Sequence, residues 1–168
     1  MERFGAMTVS VRAVDLHDEK DAAELLRLLN GYARDPMGGG SPLSAFTRAN
    51  LISRVKALNN FHAGLAWDES SGQAVGLINC IVGFSTFAAA PLLNVHDVVV
   101  ESGSRGKGVG ALLMAYAEKL AHDLRCCKLT LEVLSENHVA QRTYVRAGFR
   151  PYVLDPTAGH ALLMVKSL

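Results

Sequence analysis

Tryptophan occurs once and cysteine three times in this chain of 168 residues, and neither sign of charge dominates. Cys80, Cys126 and Cys127 are odd in number, two of them adjacent, and no C-x-x-C spacing occurs. Neighbouring cysteines rarely bridge, so neither a disulfide framework nor a zinc site is expected. Cys80 and one of the pair are expected to pack in strands as small apolar residues. A net charge of +1 provides no basic field for nucleic acid or an anionic membrane. Long apolar runs are also missing: the longest, near Leu77–Val82, is interrupted by Asn79. It falls far short of the roughly 18–20 residues that cross a bilayer. The opening M-E-R-F-G-A-M lacks the apolar centre of a secretion signal, and Met7 directly precedes the first expected strand. Residues 1–6 therefore read as a disordered or alternative start. Gly-Lys-Ser/Thr does not occur either, which excludes a P-loop. These absences predict a reduced, cytoplasmic chain without a metal, folded as a single domain over residues 1–168.

What is present is a mixture of strand and helix patterns typical of a globular protein, with 49% hydrophobic and 20% charged residues. Val9–Ala13 reads as a strand. Asp18 reads as a helix N-cap, followed by the stripe Ala22, Leu25, Leu26 and Leu29, which Gly31 is expected to end. Tyr32–Pro42 carries the Pro and Gly residues of a mobile loop, and a second helix runs to about Leu58 with Leu51, Val55 and Leu58 inward. A strand is expected over Phe61–Trp67, and a turn at Asp68–Gln73 leads into another strand through Val82. A connection at Gly83–Pro91 leads to the β-branched strand Asn94–Val100. A helix follows from about Val109, with Leu113, Tyr116, Ala117, Leu120 and Leu124 on its stripe. Then come a strand at Lys128–Leu134, a helix at Asn137–Ala147 and short strands at Arg150–Leu154 and Ala161–Lys166. The order β-α-α-β-β-β-α-β-α-β-β predicts a mixed α/β domain, a twisted mixed sheet of about 6–7 strands flanked by about four helices.

Two motifs carry chemistry. In the first, Asn94–Val100 runs into E-S-G-S-R-G-K-G-V-G, and a helix opens at Val109. A helix start leaves backbone N–H groups unpaired and carries partial positive charge, so it attracts anions. Gly106, Gly108 and Gly110 let the backbone curl close to phosphate oxygens, while Arg105 and Lys107 add charge at the rim. The run Gly106–Ala111 also satisfies the dinucleotide fingerprint, with Glu132 near the position of a ribose-binding acid. Against that reading, only one strand–helix–strand unit follows the loop. The second half of a dinucleotide fold has no room.

In the second motif Asn137, Ala140, Tyr144 and Gly148 recur at i, i+3, i+7 and i+11 and so share one helix face. Ala140 lets a ligand chain lie close. Asn137 offers a donor and an acceptor to an amide-bearing arm, and Tyr144 sets a phenol further along. A core tyrosine and a helix-capping asparagine would have the same spacing. The joint pattern resembles the GCN5-related N-acetyltransferases, whose signature is [QR]-x-x-G-x-[GA] followed by N-x-x-A-x-x-x-Y-x-x-x-G-F. Arg105, Gly108 and Gly110 match the first part; Asn137, Ala140, Tyr144, Gly148 and Phe149 match the second. The resemblance covers roughly residues 75–152. It implies a splayed mixed sheet, acetyl-CoA as cosubstrate and direct transfer to an amine. It also implies that Val98, Val99 and Val100 offer backbone groups to the pantetheine, and that Arg105, Gly106, Lys107, Gly108, Val109, Gly110 and Ala111 hold the pyrophosphate. Asn137 and Ala140 complete the cofactor-binding set, and Tyr144 protonates the departing thiolate.

A protonated amine has no lone pair, so the site must accept a proton and the thiolate must receive one. The approach to the loop reads N-V-H-D-V-V-V, similar locally to polyamine acetyltransferases, which often carry glutamate where His96 stands. His96 is the expected base, since an ordinary imidazole titrates near neutrality. Asp97, on the opposite face of the strand, and Glu132 acting through water remain alternatives. His17, His62, His122, His138 and His160 have no partner spacing and are expected on the surface. By the same resemblance the acceptor site falls on the loop after the first helix and the turn before Asn94, which nominates Tyr32, Asp35, Phe84, Thr86 and Phe87. The expected partner is a small-molecule or peptide amine, with no nucleic acid and no membrane, and a homodimer is left open.

Overall fold

The computed structural model describes residues 8–157, 159 and 161–167, so His160 lies outside the described residues. These fall into two compact units, one ending at Leu131 and one beginning at Glu132.

The first unit is built on a five-stranded sheet in the order β1 (Val9–Ala13), β2 (Phe61–Asp68), β3 (Gln73–Ser85), β4 (Ala90–Val100) and β5 (Leu129–Leu131). The first four strands are antiparallel neighbours. β5 joins parallel to β4 by way of α3 (Val109–Asp123), the helical crossover that a parallel pair requires. α1 (Glu19–Arg34) and α2 (Ala45–Lys56) precede β2. α1 sends Leu25 and Leu28 into a cluster with Leu65, Trp67, Leu77 and Val99. α3 lies on the other face, where a Cβ at Gly76 would come within 2.9 Å of Val109 Cγ1 and 3.1 Å of Leu113 Cδ1. Helices on both faces explain why β3 is buried without alternation from Ala74 to Cys80.

Asp18 caps α1 as expected, its carboxylate accepting the Asp21 N–H at 2.9 Å. The inward stripe is shifted, however, to Asp21, Leu25 and Leu28. Gly31 does not end the helix, which continues to Arg34; glycine weakens a helix interior by only ~1 kcal/mol, and packing outweighs it. The stop comes at Asp35, extended at φ −66° and ψ 138°, because the following Pro36 disfavours helical geometry. α2 ends at Lys56, so Leu58 lies beyond it and is exposed. The hairpin between β3 and β4 is tighter than Gly83–Pro91 suggested. Its strands pair as far as Ser85 with Ala90, leaving a turn at 86–89. Cys80 is a buried strand residue, but neither Cys126 nor Cys127 sits in a strand, and all three are free.

In the second unit, α4 (His138–Arg146) is the helical element. The strands expected at Arg150–Leu154 and Ala161–Lys166 are not formed among the described residues, and the expected Lys128–Leu134 strand contracts to β5. A ladder needs a neighbour, and among the described residues β5 pairs only with Leu93–Val95. Among the described residues the sheet therefore has five strands rather than 6–7; the mixed α/β architecture and the four α-helices stand.

Candidate active site

The glycine loop enters α3 from a short 3-10 turn at Ser102–Ser104. Gly106 and Gly108 both have positive φ, +76° and +86°, and Gly108 is the left-handed N-cap of α3. No side chain caps this helix, so its first amides keep their donor capacity. A Cβ built at Gly108 meets no protein atom within 4 Å, so backbone conformation demands glycine there, not crowding. Val109 is buried, and Gly76 seats it against β3. Residues 105–108 and Ala111 are exposed and Gly110 is half-buried. The loop presents a row of backbone donors on a helix fixed from behind.

β4 supplies the neighbouring edge. Its pairing with β3 shifts by one residue, from Asn79 opposite Asp97 to Cys80 opposite Val95, and this leaves His96 without a partner. His96 is thus the extra residue of a β-bulge, and it is exposed. The Glu101 N–H donates to the Val75 carbonyl at 2.9 Å. By the alternation of an antiparallel ladder, the backbone groups of Asp97 and Val99 then face β3, while those of Val98 and Val100 face away. On that outer side β5 reaches only as far as Val95. Of the three valines expected to offer backbone groups, Val98 and Val100 point them outward, and Val99 uses its own in the sheet.

Arg105 is not a free cation at the rim of the loop. Its Nε donates to the Val100 carbonyl at 3.1 Å, and its Nη2 pairs with Asp35 Oδ2 at 2.9 Å. Asp35 also accepts the Met37 N–H at 2.9 Å, and its carbonyl accepts from Gly38 and Gly40. The Met37 amide and then the Arg105 guanidinium hold this carboxyl below the usual carboxylate range. The segment expected to be a mobile loop is therefore a hydrogen-bonded turn organised on Asp35, with the glycine loop tied to it. Tyr32 is half-buried in the last turn of α1, and burial, followed by the charges of Asp97 and Asp35, raises its phenol. Asp97 accepts a hydrogen bond from Asn79 Nδ2 at 3.0 Å. Burial, with a smaller push from Asp97, sends the Cys80 thiol up to about 12 and removes it from thiolate chemistry. Phe84, Thr86 and Phe87 stand apart from these groups in sequence position and setting, at the exposed tip of the β3–β4 hairpin.

In the second unit, Asn137 caps α4 by accepting the Ala140 N–H at 3.2 Å, which uses the oxygen of its amide. Asn137, Ala140 and Tyr144 are all half-buried on the face the spacing predicted. The helix stops at Gly148, whose φ is +94°. The Gly148 N–H donates to Val145 at 3.1 Å and the Phe149 N–H to Tyr144 at 3.0 Å, the paired bonds of a Schellman motif. The rings of Tyr144 and Phe149 meet at 6.3 Å, the apolar contact that accompanies such a stop. The spacing Y-x-x-x-G-F thus acquires a physical meaning: it ends the helix and fixes the tyrosine ring. Glu132 is exposed just after β5. His138 is also exposed and lies 3.6 Å from the Glu136 carboxylate.

The acetyltransferase (GNAT) family model matches residues 25–149. The chain belongs to this acetyltransferase family. Streptothricin acetyltransferase from Streptomyces lavendulae is 34% identical over 91 residues, 52% of this chain and 48% of that protein. Mycothiol acetyltransferase from Mycobacterium leprae (strain Br4923) is 32% identical over 144 residues, 80% of this chain and 45% of that one. The chain spans about half the length of these curated relatives. Among solved structures, a transcriptional regulator from Bacillus halodurans C-125 superposes with a TM-score of 0.76 at 19% identity. The match covers 95% of this chain and 100% of the other, and it shows the shared fold. No helix among the described residues of this family member is long and apolar enough to cross a membrane.

Three features of this acetyltransferase-family chain were not assigned from the sequence: the Asn79–Asp97 pair, the Arg105–Asp35 pair and the seating role of Gly76. Only Asn79 left a signal, as a polar interruption in the most apolar strand. Gly108→Val is expected to abolish stabilisation by CoA while the fold survives. A valine held at φ +86° strains the backbone by about 1–2 kcal/mol and pulls the first amides of α3 out of line. Thermal melting with and without CoA tests this, and an unchanged CoA-dependent shift would show the loop to be only a turn.

Proposed function

We propose that this chain is a cytoplasmic, acetyl-CoA-dependent N-acetyltransferase that moves an acetyl group directly to a primary amine of a small molecule or peptide, with residues 1–168 as one catalytic domain. The observation that carries the reading is the uncapped start of α3 behind two glycines of positive φ, in a chain of this family. Such a start suits a pyrophosphate, since unpaired amides and partial positive charge meet an anion there. The amides of Gly106 through Ala111 would hold it, with Lys107 at the rim. Val98 and Val100 would offer their outward N–H groups to the pantetheine arm, and the family resemblance assigns Asn137 and Ala140 to its binding as well. When bound, acetyl-CoA supplies a thioester carbonyl as electrophile. In this reading the Val98 N–H would donate to that carbonyl oxygen and His96 would take the proton from the amine, and the family resemblance assigns to the Tyr144 hydroxyl the proton for the departing sulfur. Streptothricin and mycothiol acetyltransferases are named for small-molecule chemistry, which supports a small acceptor here.

Acetyl-CoA and CoA are expected to raise the melting temperature alike, with NAD and ATP far weaker. Ligand at 100 times its Kd adds about 2.7 kcal/mol to the folded state. Equal shifts by NAD would favour a dinucleotide site. A second reading, an acyl-CoA-binding sensor of the same fold, draws on the resemblance to a transcriptional regulator. Release of CoA thiol with a panel of primary amines separates the two, since a sensor binds CoA and releases none.

A further inference from the structure

Asn79 is out of place by the rules that built β3. It sits mid-strand in the buried run Ala74–Cys80, is itself only 3% exposed, and its amide oxygen has no hydrogen-bond partner among the described residues. A valine would fill such a position without leaving a polar atom unpaired. The amide nitrogen has one use, the 3.0 Å bond to Asp97. Yet Asp97 is only half-buried, and water would satisfy its carboxylate without help. A buried amide spent on a hydratable carboxylate fixes where that carboxylate points.

The charge around Asp97 shows what it is aimed at. Asp35, the nearby acid that also acts on Tyr32, is already paired with Arg105. Among the described residues no Lys, Arg or His forms an ion pair with Asp97. Asn79 beside it in β3 is neutral, and so is Tyr32 of α1, which packs against the cluster on that side of the sheet that holds Leu77 and Val99. An uncompensated carboxylate on the same side of the sheet as an aromatic ring, one residue from the bulge at His96, suits an alkylammonium group.

We propose that Asp97 anchors the acceptor amine in its protonated form, with Tyr32 as the wall of the subsite, and that Asn79 is the positioning residue holding the Asp97 carboxylate. This deepens the acetyltransferase reading and rests on it, and it defines the acceptor class: amines charged at neutral pH. In that arrangement the proton leaves after docking, with His96 adjacent in the chain to take it.

The test compares wild type, Asn79→Val and Asp97→Asn with acetyl-CoA and a set of charged primary amines (streptothricin, putrescine and glucosamine), with 4-methoxyaniline as the uncharged comparison. Asn79→Val removes an unpaired buried atom, so it is expected to fold, and the CoA-dependent thermal shift verifies each variant. For the charged amine that wild type acetylates best, both substitutions are expected to raise KM by about 10-fold or more, with kcat and the KM for acetyl-CoA little changed. Asn79→Ser, which retains a donor, is expected to recover part of the loss. An unchanged amine KM in both variants, or wild-type acetylation of the aniline alone, overturns the anchor and leaves the acetyltransferase reading standing. Absence of any CoA-dependent shift in wild type would strike at that reading itself.

Discussion

Replacing Tyr144 by Phe is expected to lower turnover by about 10²–10⁴-fold while CoA affinity persists, the loss typical of a missing general acid. The substitution isolates the hydroxyl because the ring is held by other means. Phe149 packs on it at 6.3 Å, and the helix stop at Gly148 is made by backbone bonds that phenylalanine leaves intact. His96→Ala should act on the opposite proton transfer, lowering the rate most at mildly acidic pH, where the amine is most firmly protonated. Single-turnover rates and CoA binding, measured on both variants across pH, separate the roles. Full turnover in Tyr144→Phe would reduce the second motif to a helix terminator, and a wild-type pH profile in His96→Ala would leave the histidine as a strand residue.

The second large effect concerns stability. Asp21 is 1% exposed and accepts both Nη atoms of Arg12 at 2.6 Å, together with the Asp15 N–H at 2.9 Å. The ion pair straps β1 to α1, and its Arg12 end also stacks on Trp67, 4.8 Å from the ring centre. Arg12 keeps half of its side chain exposed, so Asp21→Ala is expected to destabilise the protein by about 1.5–3 kcal/mol, the scale of hydrogen bonds to a charged group rather than of a fully buried pair. The Arg12 hydrogen bonds hold the Asp21 carboxyl below its ordinary value in the folded state. A lowered folded pKa means that this contribution is complete above the unfolded value of about 4 and is lost as pH falls toward the folded one. Urea melts of wild type and variant should therefore differ fully at pH 7 and converge in acid. A constant gap down to pH 3 would assign the effect to packing.

Much of this was legible locally. Asp18 as a cap, the strand pattern around Trp67 and the start of α3 at Val109 depend on neighbours within one turn of chain, and the structure has them where expected. The coincidence of Arg105, Gly108 and Gly110 with the second motif was readable for the same reason. What escaped depends on register. The pairing of Asn79 with Asp97 follows from a hairpin turn at residues 86–89 and from a bulge, and neither has a reliable local signature. Reading Gly83–Pro91 as a connection removed the means of counting across the hairpin. Asp35 and Arg105 are 70 residues apart in the chain, and no periodicity connects them. The segments after Phe149 failed in the other direction, since they were read as strands without a partner in view.

The extra residue in β4 has an implication for how this strand tolerates changes in length. In an uninterrupted strand, Val95 and Asp97 would share a face; here Val95 goes with Cys80 toward α3, and Asp97 with Asn79 toward α1. Excising His96 would close the ladder into an unbroken run, with Val95 still opposite Cys80 and Asp97 still opposite Asn79. Losing Val98 instead would turn the preceding or following residues inside out. Position 96 is thus a spare frame in the strand, where one residue can come or go without disturbing the sheet. The fold has no need of this position, so its occupant is free to be chosen for chemistry.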